Sequence, residues 1–304
     1  VRGSLLLNHN ADGHDKLVFR LESVNFLRRL AVRLGKLLIN DALRMPLPIR
    51  QYLTLMDTLA RFQLKAEARR FVLGYLWWIV EPLLYVAVFY VVFVKLMGNR
   101  QADFLVFLAV GKLTFIWFSK SVNQAAMSLV NNRGLIGQVN LPKQLFPLSI
   151  VQEGLYRQLA VFAFLILFVV GSGYSAQLSW FWLLPIAVLQ YLLIVGCGLL
   201  AAVLVCLRRD FQMLIQLGTL FLLFTSGVFW DVRALEDTEL AGFLMTVNPL
   251  VVLLDGYRQV LMHGESPDLA RLGWVLIEAL VLLLSTIWLY RRLNFWLAQR
   301  AVTQ

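Results

Sequence analysis

Glu81 stands directly before Pro82 inside an apolar run, with Trp77, Trp78, Tyr85 and Tyr90 nearby. Proline removes a helix hydrogen bond and kinks the segment, which opens room beside the carboxylate. Other charges sit in apolar surroundings, where they are expensive and hint at function. They are Lys112, Lys120, Glu153, Arg157 and Glu278, with Lys95 close enough to a segment end to snorkel. Glu153 and Arg157 are four apart and can pair on one helix face. The set is too dispersed along the chain to read as a proton relay.

The residue patterns of common enzymes are missing. No G-x-x-x-x-G-K-[ST] loop cradles nucleotide phosphates, and there is no H-E-x-x-H, nucleophile elbow or paired-cysteine motif. His9 and His14 lie in a polar stretch without cysteine or carboxylate in ligand register, and His263 is far from both, so no metal site is expected. Cys197 and Cys206 share one apolar segment and read as small packing residues. Asp231, Glu236, Asp237 and Glu239 form an acidic cluster of the kind common in outside loops.

The elements around these residues follow from composition. Of 304 residues, 60% are apolar and 15% charged, and mean hydropathy is +0.71. No soluble core hides that much apolar surface, so lipid must cover part of it. The net charge of +10 fits basic cytoplasmic loops. A clustered basic patch with aromatic readers is lacking, which excludes a nucleic-acid role. The expected fold is an all-α integral membrane protein.

Six apolar stretches have the length of a span: 71–97, 104–130, 148–171, 180–206, 211–229 and 272–290. With the N-terminus inside, the segments 1–70, 131–147, 207–210 and 291–304 are cytoplasmic and hold 20 of the 28 Lys and Arg. The long outside segment 230–271 carries three Arg against seven Asp and Glu. Both termini are therefore placed in the cytoplasm. Within that segment, Asn248-Pro249 and Asp255-Gly256-Tyr257-Arg258 interrupt an apolar run, which suits short re-entrant helices.

Two amphipathic stretches precede the spans. In 16–40, Leu27, Leu30, Ala31, Leu34 and Leu38 form a stripe flanked by Arg28, Arg29, Arg33 and Lys36, a pattern suited to an anionic lipid surface. No apolar h-region of a signal peptide precedes it. In 51–70, Leu55, Leu59, Phe62 and Ala66 mark one face, while Asp57 and Arg61 are spaced to pair. The expected organisation is an extension at 1–50, an interfacial helix at 51–70, a span domain at 71–292 and a tail at 293–304.

Several motifs then stand in order. Arg69-Arg70-Phe71-x-Leu73-Gly74-x-Leu76-Trp77 leads to Glu81-Pro82. Asn132-x-x-Leu135-Ile136 precedes Leu141-Pro142 and Pro147. Arg209-Asp210 follows, and then Asn248-Pro249 with Gly256-Tyr257-Arg258. Together they resemble the ABC-2-type permeases that export polysaccharides such as O-antigen, capsule and teichoic acid, over roughly residues 55–292. Two features depart from that pattern: Lys112 follows Gly111, and Gly137-Gln138 stands where basic residues are usual.

The resemblance implies a transport subunit of a bacterial cytoplasmic (inner) membrane, not an enzyme. It implies a homodimer whose protomers each bind a separate ATPase subunit that carries ATP and Mg, with no cofactor on this chain. It also implies a lipid-linked glycan as substrate. Asn132, Arg133, Leu135 and Ile136 would couple to the ATPase from the loop 131–147. Arg61, Lys65, Arg69 and Arg70 would lie at the cytoplasmic interface. Trp77, Glu81, Tyr85, Tyr90, Asn248, Tyr257 and Arg258 would line a channel or the outer gate in 230–271, where sugar rings slide on aromatic faces. The alternatives are an ABC-2 permease for another lipid or drug, a membrane-bound glycan-assembly enzyme using Asp231, Glu236 and Asp237, or a proton-coupled transporter.

Overall fold

The structure, a computed structural model, describes residues 48–70, 72–98, 102–138 and 141–303. The amphipathic stretch expected at 16–40 lies outside them. The chain divides into Val1–Gln51 and Tyr52–Gln304, and the architecture below is that of the second unit. Among the described residues it is built of helices and the turns that join them, without strands.

Helix α1 spans Ile49–Arg70. A left-handed Gly74 (φ +54°) then lets the chain turn into a 3-10 segment, Gly74–Leu76. Helix α2, Trp77–Phe89, contains Pro82 and runs on as a π-helix, Tyr90–Leu96. Helix α3 is Ala102–Ala126. Two short helices follow, α4 at Ser128–Asn131 and α5 at Arg133–Gln138. Then come α6, Leu145–Gly171, and α7, Leu183–Leu207, the latter entered through a 3-10 turn at Leu178–Trp182. Helix α8 is Phe211–Thr225, α9 is Thr238–Val247, and α10 is Pro249–Arg258 with a π-helical continuation, Gln259–His263. Helix α11, Leu269–Thr303, closes the chain.

Five of these segments are long and apolar enough to cross a membrane: Gly74–Leu96, Asp103–Ala126, Leu145–Gly171, Leu178–Leu207 and Leu269–Leu293. The bent pair α9–α10 raises the count to as many as six if it forms one span. The stretch expected as a fifth span, 211–229, is helical only over Phe211–Thr225. Fifteen residues reach about 22 Å at 1.5 Å each, short of a hydrocarbon core of about 30 Å. The chain leaves that helix through Gly227, whose φ of +75° a side chain would resist.

The core lies where α3 and α7 meet, with α6 packed on α3 and α11 on α7. Small residues let the helices approach closely, as in membrane bundles generally. A Cβ on Gly198 would touch Ala125 and Val151, and one on Gly196 would press on Leu282. Helix α2 packs against α6 and α3 from one side only, leaving Leu83, Leu84 and Val88 exposed. Contacts sort into two ends of the bundle. One end gathers α1, α5, the start of α6 and the tail of α11, where Arg300 donates to the Leu207 carbonyl. The other gathers the loop after α6, where the Tyr174 hydroxyl donates to Asp103, and the α9–α10 pair.

Candidate functional site

A cleft opens between α2, α3 and α6 near the α1 end of the bundle. At its mouth Lys120 of α3 donates to Glu81 of α2, the two side chains being 36% and 22% exposed. One turn further, the Lys112 ammonium sits 5.5 Å from the centre of the Tyr85 ring. Trp78 and Pro82 border the cleft on the α2 side. Its floor carries Trp117 and Ser121 of α3 and Gly154, Arg157 and Gln158 of α6. The Trp117 Nε1, Ser121 Oγ and Gln158 Nε2 atoms are buried and have no hydrogen-bond partner among the described residues. Gly154 leaves their space open, since a Cβ there would reach 2.5 Å from Ser121 Oγ.

Arg157 ties this cleft to α1. Its Nη1 donates to both carboxylate oxygens of Glu67 at 2.8 Å and lies 3.5 Å from Glu153, while Nη2 donates to Gln124 at 3.0 Å. Further along α1, Gln63 donates to Ser149 at 3.3 Å and the Tyr156 hydroxyl donates to Asp57. That hydroxyl, with Arg61 behind it, holds the Asp57 carboxyl below the usual carboxylate range against a smaller opposing effect of burial. Burial pushes the Tyr52 phenol up to about 12 and lowers the Lys143 ammonium. The face of α1 turned to the bundle is thus Ala60, Ala68 and a row of polar groups, and Phe62 and Ala66 of the expected apolar stripe are exposed. Arg61, Lys65, Arg69 and Arg70 are exposed as well, with Arg61 paired to Asp57 at 2.8 Å.

At the opposite end, Asn248 explains the break before Pro249. Its Oδ1 caps α10 by accepting from the Leu250 amide at 3.1 Å, and its Nδ2 donates to Ser226 at 3.0 Å. Helices α9 and Pro249–His263 meet at 106° around it. Arg258 is 4% exposed and donates to the carbonyls of Gly227 (2.7 Å), Val228 (3.1 Å) and Phe107 (3.4 Å). Its guanidinium carbon lies 3.4 Å from the centre of the Phe107 ring. Gly111 faces the same guanidinium so closely that a Cβ would collide with Nη2. Tyr257 is fully buried, its ring 5.9 Å from Phe162, which in turn lies 5.8 Å from Trp117 in the cleft. Asp255 accepts from Arg233 at 3.0 Å and from Gln259 at 2.8 Å.

Helix α5 presents Arg133 and Gly134 outward, while Leu135 is half-buried and Ile136 is buried, with the helix packed against α11. Asn132 closes α4 by donating to the Ser128 carbonyl at 2.8 Å.

The family model for the ABC-2 type transporter matches residues 54–262, which contain the cleft, α5 and the α9–α10 pair. The chain belongs to the ABC-2 type transporter family. Among relatives of this ABC-2 chain, the O-antigen export system permease protein RfbA of Myxococcus xanthus is 28% identical over 249 residues, 81% of this chain and 95% of the relative. An RfbA protein of Klebsiella pneumoniae is 27% identical over 203 residues, 66% of this chain and 77% of the relative. The polysialic acid transport protein KpsM of Escherichia coli is 26% identical over 238 residues, 75% of this chain and 89% of the relative.

In the ABC-2 fold seen here, the expected channel residues separate. Glu81 and Tyr85 line the cleft. Trp77 is half-buried, and Tyr90 is exposed on the π-helix with Lys95 5.7 Å from its ring centre. Asn248 and Arg258 meet the Ser226–Val228 turn from the two ends of α10, while Tyr257 is buried against Phe162. Sequence reading noted Lys120 and Arg157 as costly charges without their partners Glu81 and Glu67. Trp117, Ser121 and Gln158 carried no signal, because a polar side chain in an apolar helix reveals its missing partner only once neighbouring helices are placed.

Proposed function

We propose that this chain is the membrane-spanning permease of an ATP-driven exporter that moves a lipid-linked polysaccharide outward across a bacterial inner membrane. It is a transport subunit and works as a homodimer, each protomer bound to a separate ATPase that carries ATP and Mg. The observation that carries this reading is the ABC-2 match together with similarity to O-antigen and polysialic acid permeases along most of the chain.

Several features support the finer points. The end of the bundle holding α1, α5 and the α11 tail is the basic one and faces the cytoplasm, with both termini on that side. The exposed face of α5, led by Arg133 with Asn132 and Leu135 beside it, contacts the ATPase, and Ile136 anchors that helix to the bundle from within. Arg61, Lys65, Arg69 and Arg70 lie along the cytoplasmic interface. Glu81 and Tyr85 border the cargo path, and the α9–α10 pair forms a re-entrant gate at the outer end. The exposed apolar faces of α2 and of α8, where Leu217, Phe221 and Phe224 stand out, suit lipid on one side and a second copy on the other.

Deleting the gene and locating long-chain glycan by fractionation and surface labelling tests the reading. Glycan trapped inside and restored to the surface by a plasmid copy supports it. Normal surface glycan sinks it in favour of another lipid or drug cargo, and absence of glycan from every compartment points to an assembly enzyme.

A further inference from the structure

A groove lies at the other end of the bundle from the cleft, between α9 and the first turns of α11. Its volume is about 440 Å³, which admits a headgroup and not only a water. Gly242, Met245 and Thr246 of α9 line one wall, and Ala270, Arg271 and Trp274 of α11 line the other. A Cβ on Gly242 would meet nothing within 4 Å, so the space beside α9 is open. Around the groove, Leu240, Phe243 and Val247 stand exposed on α9, and Trp274, Ile277 and Val281 on α11. Both sets recur at helical spacing, so each helix turns an apolar stripe outward, and in a bilayer those stripes meet hydrocarbon.

The groove sits at the level of lipid headgroups. The last candidate span begins at Leu269, so Arg271 is about 3 Å along it and Trp274 about 8 Å, at 1.5 Å per residue. A tryptophan and a cation at that depth suit the water boundary of a membrane. The polar groups add a more specific pattern. Arg271 Nε lies 3.2 Å from Asp268 Oδ2, each side chain being 44% exposed, and the two Nη groups have no partner among the described residues. Asp268 Oδ1 accepts from the Ala270 and Arg271 amides at 3.0 and 3.3 Å, which leaves Oδ2 with acceptor capacity beyond Arg271. The Thr246 hydroxyl gives its proton to the Gly242 carbonyl at 2.8 Å and keeps its lone pairs. Free donors on a guanidinium thus stand beside oxygens with room to accept.

Charge around the groove selects among headgroups. Segment 230–271 holds three Arg against seven Asp and Glu, and Glu239, Glu265 and Asp268 are exposed. Glu239 precedes Gly242 by three residues and Thr246 by seven, on the same face of α9. A phosphate finds Arg271 here, but a headgroup with net negative charge also meets repelling carboxylates, whereas an ammonium finds acceptors. We propose that the α9–α11 groove binds a zwitterionic phospholipid whose headgroup joins a phosphate to a primary ammonium, as in phosphatidylethanolamine. The phosphate takes the Nη protons of Arg271 in a bidentate pair. The ammonium donates to Asp268 and Thr246, which a quaternary ammonium, without N–H groups, cannot do. The acyl chains run along Trp274, Ile277 and Val281. Bound in this way, the lipid ties the first helix of the bent α9–α10 pair to α11, whatever the cargo.

The test uses the full-length chain, stripped of lipid in a nonionic detergent, with binding and oligomeric state read by native mass spectrometry. Phosphatidylethanolamine, phosphatidylcholine and phosphatidylglycerol with matched acyl chains are the probes. Phosphatidylethanolamine should bind about tenfold more tightly than either of the others, the scale of one charge-assisted hydrogen bond. Arg271→Gln should remove about tenfold of that affinity, and Arg271→Lys should restore part of it. Asp268→Asn should abolish the preference over phosphatidylcholine, while asparagine still caps α11. Gly242→Phe should fill the groove and exclude the lipid. All four variants should keep the Tm of the lipid-free chain, because the changed side chains are exposed or enter open space.

Equal binding of phosphatidylethanolamine and phosphatidylcholine overturns the proposal, since it would mark a general lipid surface. Tighter binding of phosphatidylglycerol overturns it in favour of a site for net negative charge. A preference that survives in Arg271→Gln, Asp268→Asn and Gly242→Phe alike places the lipid elsewhere on the chain. Loss of the oligomer in Gly242→Phe with lipid binding unchanged would instead make the groove a contact between copies. None of these results bears on the exporter reading, which the surface-glycan measurement decides by itself.

Discussion

Both carboxylate oxygens of Glu67 lie 2.8 Å from one nitrogen of Arg157, so a helix outside the spans is held to a charge inside one. The guanidinium is 9% exposed and also faces Glu153, whose side chain is 7% exposed. Removing Arg157 leaves that carboxylate buried without compensation, whereas removing Glu67 leaves Arg157 its 3.5 Å pair with Glu153. Arg157→Met should therefore destabilise the folded chain by about 3–5 kcal/mol and Glu67→Gln by clearly less. Unfolding in mixed micelles measures both, and equal losses would mean that Glu67 is the only partner that counts.

Arg258 and Gly111 form one unit at the other end of the bundle. Lysine cannot reach three carbonyls in a planar fork or stack on Phe107 as a guanidinium does. Arg258→Lys should lower stability by about 1–3 kcal/mol, the range for leaving a buried carbonyl without its donor. Gly111→Ala should do the same by about 1–3 kcal/mol through overpacking, since the new Cβ collides with the guanidinium. The double variant should fall well short of the sum, because both changes displace the same side chain. Strict additivity would separate them.

On α5, the outward Arg133 and the buried Ile136 should respond differently. Arg133→Glu should reduce co-purification with the ATPase and glycan export by about tenfold without moving Tm, as expected for an exposed charge at an interface. Ile136→Asp should lower Tm outright, because it buries a charge against α11. Intact ATPase binding in Arg133→Glu would remove this helix from the contact.

The docking of α1 should weaken in acid. The Asp57 carboxyl is held below its unfolded value of about 3.9. A depressed carboxylate contributes stability that is fully present above the unfolded value and is lost as pH falls through the folded one. Protease cleavage within α1 should thus stay slow from neutral pH down to about 4 and accelerate below it. Asp57→Asn should cleave faster at neutral pH and lose that acid dependence. An unchanged pH profile in Asp57→Asn would shift the cause to another group.

Much of the architecture was legible in residue order. Long apolar runs can only be membrane helices, because no soluble core could cover them, and the break at Asn248-Pro249 announced a bend that the Asn248 cap realises. Pairs within one helix were also legible: Asp57 with Arg61, and Glu153 with Arg157, follow from a spacing of four. The expected span at 211–229 came out shorter because hydropathy does not sense the left-handed turn at Gly227.

What the sequence determined alone is thus whatever depends on local chemistry and period: helical class, the membrane environment, the basic end and the chain's family motifs. What only the tertiary structure decided is which groups meet across helices. Lys120 finds Glu81 from 39 residues away, Arg157 finds Glu67 from 90, and Arg258 finds Phe107 from 151. The rotation of each helix about its own axis sets those meetings, and neighbours of similar apolar character fix that rotation through shape and small-residue contacts, which no one-dimensional pattern records.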